Sequence, residues 1–344
     1  MKYISENFAE EVNKLLSVTN NIVIVTHANP DADAIGSSLG LYNFLLKKGQ
    51  NPTVVTPNNY PEFLWWMPGN KNIIKFSEDK KTAVEIIDKA QIIFYVDFNE
   101  TTRIDKLEKY VSKSNSIKII IDHHPLFNEN VDYTLSDISA SSAAELVYEF
   151  IELLNNTNFI DEKIGKCLYA GIMSDTGCFS YNSSKPRTFE IVAELLKFNI
   201  NKDEIVSKIY DNFSTDRFRL LGYCLNEKLT VLPEYHTAFI SLTKKELEKF
   251  NFKQGDDDGF VNYPLSIKGI IFTAIFIEKD KNVKISFRSK GSFATNKFAR
   301  QNFNGGGHLN ASGGKSNLSF EKAIEKFVSL LPKYKNELDD NEKQ

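Results

Sequence analysis

The sequence predicts an α/β protein in two parts: a parallel sheet with helices on both faces, then a helical connector and a smaller mixed-sheet α/β domain. Three observations carry this. Short apolar, largely β-branched runs at 21–26, 53–56, 91–96 and 117–121 alternate with segments of helical period, the pattern of parallel strands covered on both faces. His27, Asp97 and Asp122 each stand at the end of one of these runs, so the carboxyl edge of the sheet carries the polar residues. Beyond about residue 230 the composition shifts to alternating strand-like runs and a glycine cluster at 304–314.

In chain order, 21–26 is a strand ending at His27, a polar loop follows, and 34–48 has apolar residues at helical spacing before Gly49. Residues 53–56, 91–96 and 117–121 supply three more strands. Residues 139–154 begin with serines and continue as an amphipathic helix whose N-terminus faces the same crevice, and 161–173 form a further helix with Asp175 in the loop after it. From 189 to about 225 the pattern is helical and charged, without a glycine or proline linker. Residues 237–242, 269–278 and 283–288 read as strands of the second domain. The expected boundaries are 1–190 for the first domain, 191–230 for the connector, 231–332 for the second domain and 333–344 for a charged tail that frays.

The totals exclude several classes. A chain of 344 residues suits two domains rather than one core. A net charge of −3 argues against a protein that coats duplex DNA through a broad basic surface. Cys167, Cys178 and Cys224 show no Cys-x-x-Cys spacing, so neither a disulfide framework nor a structural zinc site is indicated and a reducing compartment follows. The N-terminus lacks a secretory pattern and no apolar run approaches the ~20 residues of a spanning helix, so a cytoplasmic protein without membrane contact is expected. The aromatics Tyr60, Phe63, Trp65 and Trp66 read as packing, and Asp256, Asp257 and Asp258 as a solvated acidic turn.

The chemistry lies in the run Thr26-His-Ala-Asn-Pro-Asp-Ala-Asp-Ala34, the triplet Asp122-His123-His124, and the isolated Asp97 and Asp175. Carboxylates and imidazoles without thiolates suit hard and borderline divalent cations. A pair of ions roughly 3.5–4 Å apart needs a carboxylate that reaches both. Asp97, alone at its strand end, is the natural bridge. One ion would take His27, Asp31 and Asp97, the other Asp33, Asp97, His123 and Asp175. Such a pair lowers the proton affinity of a water, the chemistry of a metallohydrolase. His124 is expected to orient the phosphate or protonate the leaving oxygen, and Asp122 to orient its neighbours. In the second domain Gly305, Gly306 and Gly307 would let backbone amides approach an anion, with His308, Arg288 and Ser289 adding donors. Arg103 is a further candidate for phosphate.

Asp122-His123-His124, with the motifs at 27–33, at Asp97 and at Gly171-Ile-Met-Ser-Asp175, resembles the DHH phosphoesterase family, and Ser286-Phe-Arg-Ser289 with Gly305-Gly-Gly-His308 resembles its DHHA1 domain. The resemblance covers about residues 15–330. It implies a manganese-dependent hydrolase of phosphoester or phosphoanhydride bonds, with Mg²⁺ or Co²⁺ as compatible ions. The two-domain arrangement looks most like the nanoRNase/pAp phosphatase branch, which acts on very short oligoribonucleotides and on adenosine 3′,5′-bisphosphate; a homodimer is the family expectation. By matching positions, His27, Asp31, Asp33, Asp97, His123 and Asp175 carry over as metal ligands, and Asp122 and His124 as their neighbours. Relatives acting on cyclic dinucleotides, single-stranded DNA or polyphosphate are the alternatives within the family. A catalytically silent nucleotide-binding module is the alternative outside it.

Overall fold

A computed structural model of the chain describes residues 2–125 and 131–342. Two compact units result, Met1–Asn212 and Phe213–Gln344. The first contains β1 (Lys2–Ile4), α1 (Phe8–Leu15), β2 (Asn21–Val25), α2 (Ala32–Lys47), β3 (Asn51–Thr56), β4 (Ile74–Lys75), α3 (Lys80–Asp88), β5 (Ile92–Val96), α4 (Glu108–Val111), β6 (Ile117–Asp122) and β7 (Tyr133–Asp137). Helices α5 (Ala143–Leu153), α6 (Glu162–Asp175), α7 (Pro186–Leu196) and α8 (Lys202–Tyr210) complete it.

The strand order is β1-β7-β6-β5-β2-β3-β4. Every pair is parallel except β1 with β7; β1 precedes the first crossover and adds as a short antiparallel edge to the expected parallel sheet. The chain builds outward from β2 through β3 to β4, then returns to the other side of β2 with β5. The order therefore reverses between β2 and β5, and a crevice opens outside the carboxyl ends of those strands.

Strand residues alternate between the two faces. Ile22, Ile24, Phe94, Ile119 and Ile121 share a core with α1, α2, α5, α6, α7 and α8, whereas Val23, Val25, Ile93, Tyr95 and Ile120 share another with α3 and α4. Helix α2 lies deep and runs close against α6. A Cβ on Gly36 would lie 2.6 Å from the Cys167 carbonyl oxygen, so glycine is what lets the two backbones approach.

The second unit contains α9 (Thr215–Tyr223), β8 (Leu229–Leu232), β9 (Thr237–Leu242), α10 (Lys244–Lys249), β10 (Phe272–Glu278), β11 (Val283–Ser289), α11 (Thr295–Asn302), β12 (Gly306–Gly307), β13 (Ala311–Ser316) and α12 (Phe320–Glu342). Its sheet, ordered β12-β13-β11-β10-β9-β8, is mixed, with only β9 and β10 parallel. Phe239, Phe272, Phe287, Phe298 and Phe327 fill one face, and Ile240, Ile275, Ile277 and Phe260 the other.

Two boundaries differ from the sequence reading. The expected connector is divided, because Ile191, Leu195, Ile205 and Ile209 of α7 and α8 pack in the first core while Leu220 and Leu221 of α9 pack in the second. The tail expected to fray continues α12 to Glu342, since Leu331 and Leu338 extend its apolar stripe into the core; residues 343–344 lie outside the described residues. Cys167 and Cys224 are buried, and burial pushes the Cys224 thiol up to about 12. No helix among the described residues is long and apolar enough to cross a membrane.

Gly36→Val should lower the urea midpoint of unfolding by the equivalent of about 1–3 kcal/mol, the range for overpacking a filled interior. Gly222→Ala, in α9 with open space around the new methyl, should raise stability by roughly 0.5–1 kcal/mol.

Candidate dinuclear metal centre

The reversal point of the first sheet delivers the polar residues. His27 follows β2 by two residues, Asp97 follows β5 directly, and Asp122 ends β6 with His123 and His124 after it. Asp31 caps α2 and Asp33 lies in its first turn. Asp175 is the last residue of α6 rather than a loop residue as expected: the Ser-Asp-Thr sequence looks like a helix stop, but the helix carries on through Asp175.

Asp97 stands at the middle. Its Oδ2 lies 3.3 Å from His27 Nε2 and its Oδ1 lies 3.4 Å from His123 Nε2. His27 Nε2 is also 3.9 Å from Asp31 Oδ2. On the other side His123 Nε2 is 3.8 Å from Asp33 Oδ2 and 3.7 Å from Asp175 Oδ2. Two sets of donors therefore converge, His27/Asp31/Asp97 and Asp33/His123/Asp175. Ligands about 2.1 Å from a shared ion sit roughly 3.0–3.5 Å apart; the two Asp97–imidazole separations fall in that range and the other three stand a few tenths of an ångström beyond it. The backbone is held in place for this, since Asp97 takes a left-handed conformation with φ 64°, uncommon for a residue other than glycine.

Four of these donors are aimed by a second contact. His27 Nδ1 meets the Ala28 carbonyl at 3.0 Å and His123 Nδ1 meets the Ala140 carbonyl at 3.4 Å. A carbonyl only accepts, so both rings carry the proton on Nδ1 and turn the Nε2 lone pair inward. Asp31 Oδ1 accepts from the amides of Asp33 and Ala34, both at 3.0 Å, leaving Oδ2 toward His27. Asp33 accepts from the amides of Ala143 at 2.7 Å and Ala144 at 2.9 Å. The N-terminus of α5 faces the crevice as expected and donates to this carboxylate. Gly171 is required here as well, because a Cβ would lie 2.6 Å from that of Ala144 and 2.8 Å from Asp33 Oδ1.

The electrostatics favour positive charge among these donors. Burial, with the charges of Asp97 and Asp175, pushes Asp33 well above the usual carboxylate range. Asp97 is driven up by burial but held well below that range by the imidazoles of His123 and His27. Burial opposes charge on His27 and His123, yet the Asp97 carboxylate and its acidic neighbours raise both, His123 strongly. Asp97 Oδ1 is buried and accepts no hydrogen bond of good geometry, an orphan that a metal ion would satisfy.

His124 behaves differently. Burial and the charges of Arg103 and His123 push it well below the imidazole range. Its Nδ1 lies 2.8 Å from Asp122 Oδ1, and its backbone amide donates to Asp122 Oδ2 at 3.1 Å. It is therefore a neutral ring oriented by Asp122, as the sequence suggested. Arg103, half-buried, is tied to the His27 loop by its carbonyl, which accepts from Ala28 N at 2.7 Å. Its charge acts on both His27 and His124.

The second group of predicted residues belongs to the second unit. Arg288 is the penultimate residue of β11, in register with Ala311 of β13, and His308 N donates to the Ala311 carbonyl at 2.8 Å. Two expectations need correction. Ser289 is buried, with its hydroxyl donating to Phe293 O at 2.7 Å and accepting from Asn310 at 2.8 Å, so it holds the loop rather than a ligand. The glycine triplet is part of a tight β-hairpin: a Cβ on Gly305 would lie 2.0 Å from the Gly313 oxygen and one on Gly307 2.6 Å from the Ala311 oxygen, while Gly306 faces open space. Only Gly306 keeps the open approach expected of all three.

Sequence reasoning missed the Ala140 carbonyl and the amides of Ala143 and Ala144, because backbone groups leave no residue-type signal. Addition of Mn²⁺ should raise the thermal unfolding temperature of this protein, by RT ln(1 + [L]/Kd) per site, about 2.7 kcal/mol at a hundredfold excess over Kd. Asp97→Asn should lose most of that rise in calorimetry, since one substitution weakens both donor sets.

Residues 21–172 match the DHH family N-terminal domain and residues 234–337 the DHHA1 domain. The chain is 33% identical over 299 residues to the probable bifunctional oligoribonuclease and PAP phosphatase NrnA of Streptococcus mutans, covering 86% of this chain and 90% of that protein. It is 29% identical over 307 residues to the bifunctional oligoribonuclease and PAP phosphatase NrnA of Bacillus subtilis, covering 88% and 91%. Among solved structures, an exopolyphosphatase-related protein from Bacteroides fragilis matches with a TM-score of 0.92 and 42% identity over 98% of this chain and 99% of that one. With this sequence match and the convergence of donors on Asp97, the chain belongs to the DHH family and is a metal-dependent hydrolase of phosphate esters.

Proposed function

We propose that this protein uses two Mn²⁺ ions to hydrolyse short oligoribonucleotides, dinucleotides such as pApA foremost, to mononucleotides, and that it also removes the 3′-phosphate of pAp. The observation that carries this is Asp97, with one carboxylate oxygen toward each set of donors. The NrnA relatives, named for oligoribonuclease and PAP phosphatase activity, support the choice of substrate.

Bound at His27, Asp31, Asp33, Asp97, His123 and Asp175, the cations would supply Lewis acidity toward a phosphoryl oxygen and lower the proton affinity of water. The chain's own groups do the rest. The Arg103 guanidinium, paired with no carboxylate among the described residues, offers a planar fork to a non-bridging phosphate oxygen. His124, neutral and with Nδ1 on Asp122, is the group that moves a proton at the leaving oxygen. Arg288, Gly306 and His308 of the second unit bind a terminal phosphate or nucleotide. The first unit, Met1–Asn212, would then be the catalytic DHH part and the second, Phe213–Gln344, the substrate-binding DHHA1 part, and the unpaired cysteines support a place in the cytoplasm.

Polyphosphate is the second reading, favoured by the description of the Bacteroides fragilis protein. A panel of 5′-phosphorylated ribo-oligonucleotides of increasing length, with pAp, cyclic di-AMP and polyphosphate, decides between them. The expected result is Mn²⁺-dependent turnover fastest on dinucleotides. Faster release of phosphate from polyphosphate would replace the proposal.

Two variants extend the test. Arg103→Ala should lower kcat/KM by roughly ten- to a hundredfold, the equivalent of about 1.5–3 kcal/mol for a hydrogen bond to a charged group. Arg288→Ala should raise KM for pApA far more than for a generic chromogenic phosphodiester, and equal effects on both would remove Arg288 from substrate binding.

A further inference from the structure

Past Asp175 the backbone turns left-handed at three consecutive residues, Gly177 (φ 53°), Cys178 (φ 54°) and Phe179 (φ 64°), and again at Asn182 (φ 50°). For residues other than glycine this conformation costs about 1–2 kcal/mol each, so the turn is sustained by its contacts. The amides of Ser180 and Tyr181 donate to the Thr176 carbonyl, and that of Phe179 to the Thr176 hydroxyl. Asn182 Nδ2 donates to the carbonyls of Ala140 and Ser141, both at 3.4 Å. Ala140 O is the same oxygen that orients His123.

This turn presents one large ring to solvent. Phe179 points inward, with ring centroids 6.3 Å from buried Tyr169 and 5.6 Å from Phe189. Tyr181 is 53% exposed. Its hydroxyl end rests on Gly177, where a Cβ would lie 2.2 Å from both Cζ and Oη. The ring is therefore seated against a glycine two residues from one metal ligand, on a turn pinned to the carbonyl that aims another. An aromatic side chain held by its own turn and left half open has little conformational entropy to lose when a flat ligand covers it.

We propose that Tyr181 is the stacking surface for a nucleobase of the substrate whose phosphate lies at the metal centre. This deepens the oligoribonuclease reading and rests on it: a base has a π-face to offer Tyr181, and polyphosphate has none. Stacking is indifferent to base identity, so the subsite selects nucleotides over other phosphoesters without selecting a sequence.

The test compares kcat/KM for pApA with that for the same dinucleotide made abasic. In the unmodified enzyme the base is worth about 5- to 100-fold, the span of single base–aromatic stacking energies. Tyr181→Ala should bring that ratio close to one, chiefly through KM, and Tyr181→Phe should restore it. A non-hydrolysable dinucleotide carrying 2-aminopurine should lose its fluorescence on binding and keep most of it with Tyr181→Ala. An unaltered ratio in Tyr181→Ala, or equal losses on both substrates, would overturn the stacking role while leaving the oligoribonuclease reading intact. Failure of the unmodified enzyme to cleave either dinucleotide would instead overturn that reading, and this subsite with it.

Discussion

The burial of like charges around Asp97 is the constraint on which the rest depends. Asp33, Asp97 and His123 are each almost wholly removed from water, and Asp31 and Asp175 add charge at the rim. Carboxylates in such a place are costly unless compensated. The raised Asp33 and the raised His27 and His123 express the same deficit of positive charge from two sides. Hydrophobic packing elsewhere in the first unit must outweigh this cost in the metal-free chain, and bound cations would remove much of it.

Much of the fold serves to keep the donors from relaxing apart. The amides at the start of α5 hold Asp33, the first turn of α2 holds Asp31, and two backbone carbonyls fix the tautomers of His27 and His123. Gly36 and Gly171 let α2, α5 and α6 come close enough for Asp33 and Asp175 to address the same imidazole. None of these supporting groups is a metal ligand. Displacing them would alter the centre without touching its chemistry, as expected for contacts that orient ligands.

The strands and the candidate donors were legible for related reasons. Continuous runs such as 92–96 and 117–121 are apolar because both faces are covered, and the break to Asp97 or Asp122 marks the sheet edge in the same few residues. Other features were not legible. Strand β13 has the sequence Ala-Ser-Gly-Gly-Lys-Ser, which carries almost no strand preference and is set by pairing with β11. Gly305 and Gly307 looked like an anion cradle because a hairpin in close approach needs the same residue. Ser289 lies beside Arg288 in sequence, but alternation along β11 turns it into the loop instead. The extension of α6 to Asp175 and of α12 to Glu342 depended on tertiary packing that local composition does not report.

The central claim is that Asp97 places one oxygen on each of two cations. Anomalous diffraction from crystals soaked in Mn²⁺ measures this directly. The account predicts two peaks about 3.5–4 Å apart, flanking the Asp97 carboxylate, one beside His27 and Asp31 and the other beside Asp33, His123 and Asp175. A single peak, or a pair that Asp97 does not join, would contradict it.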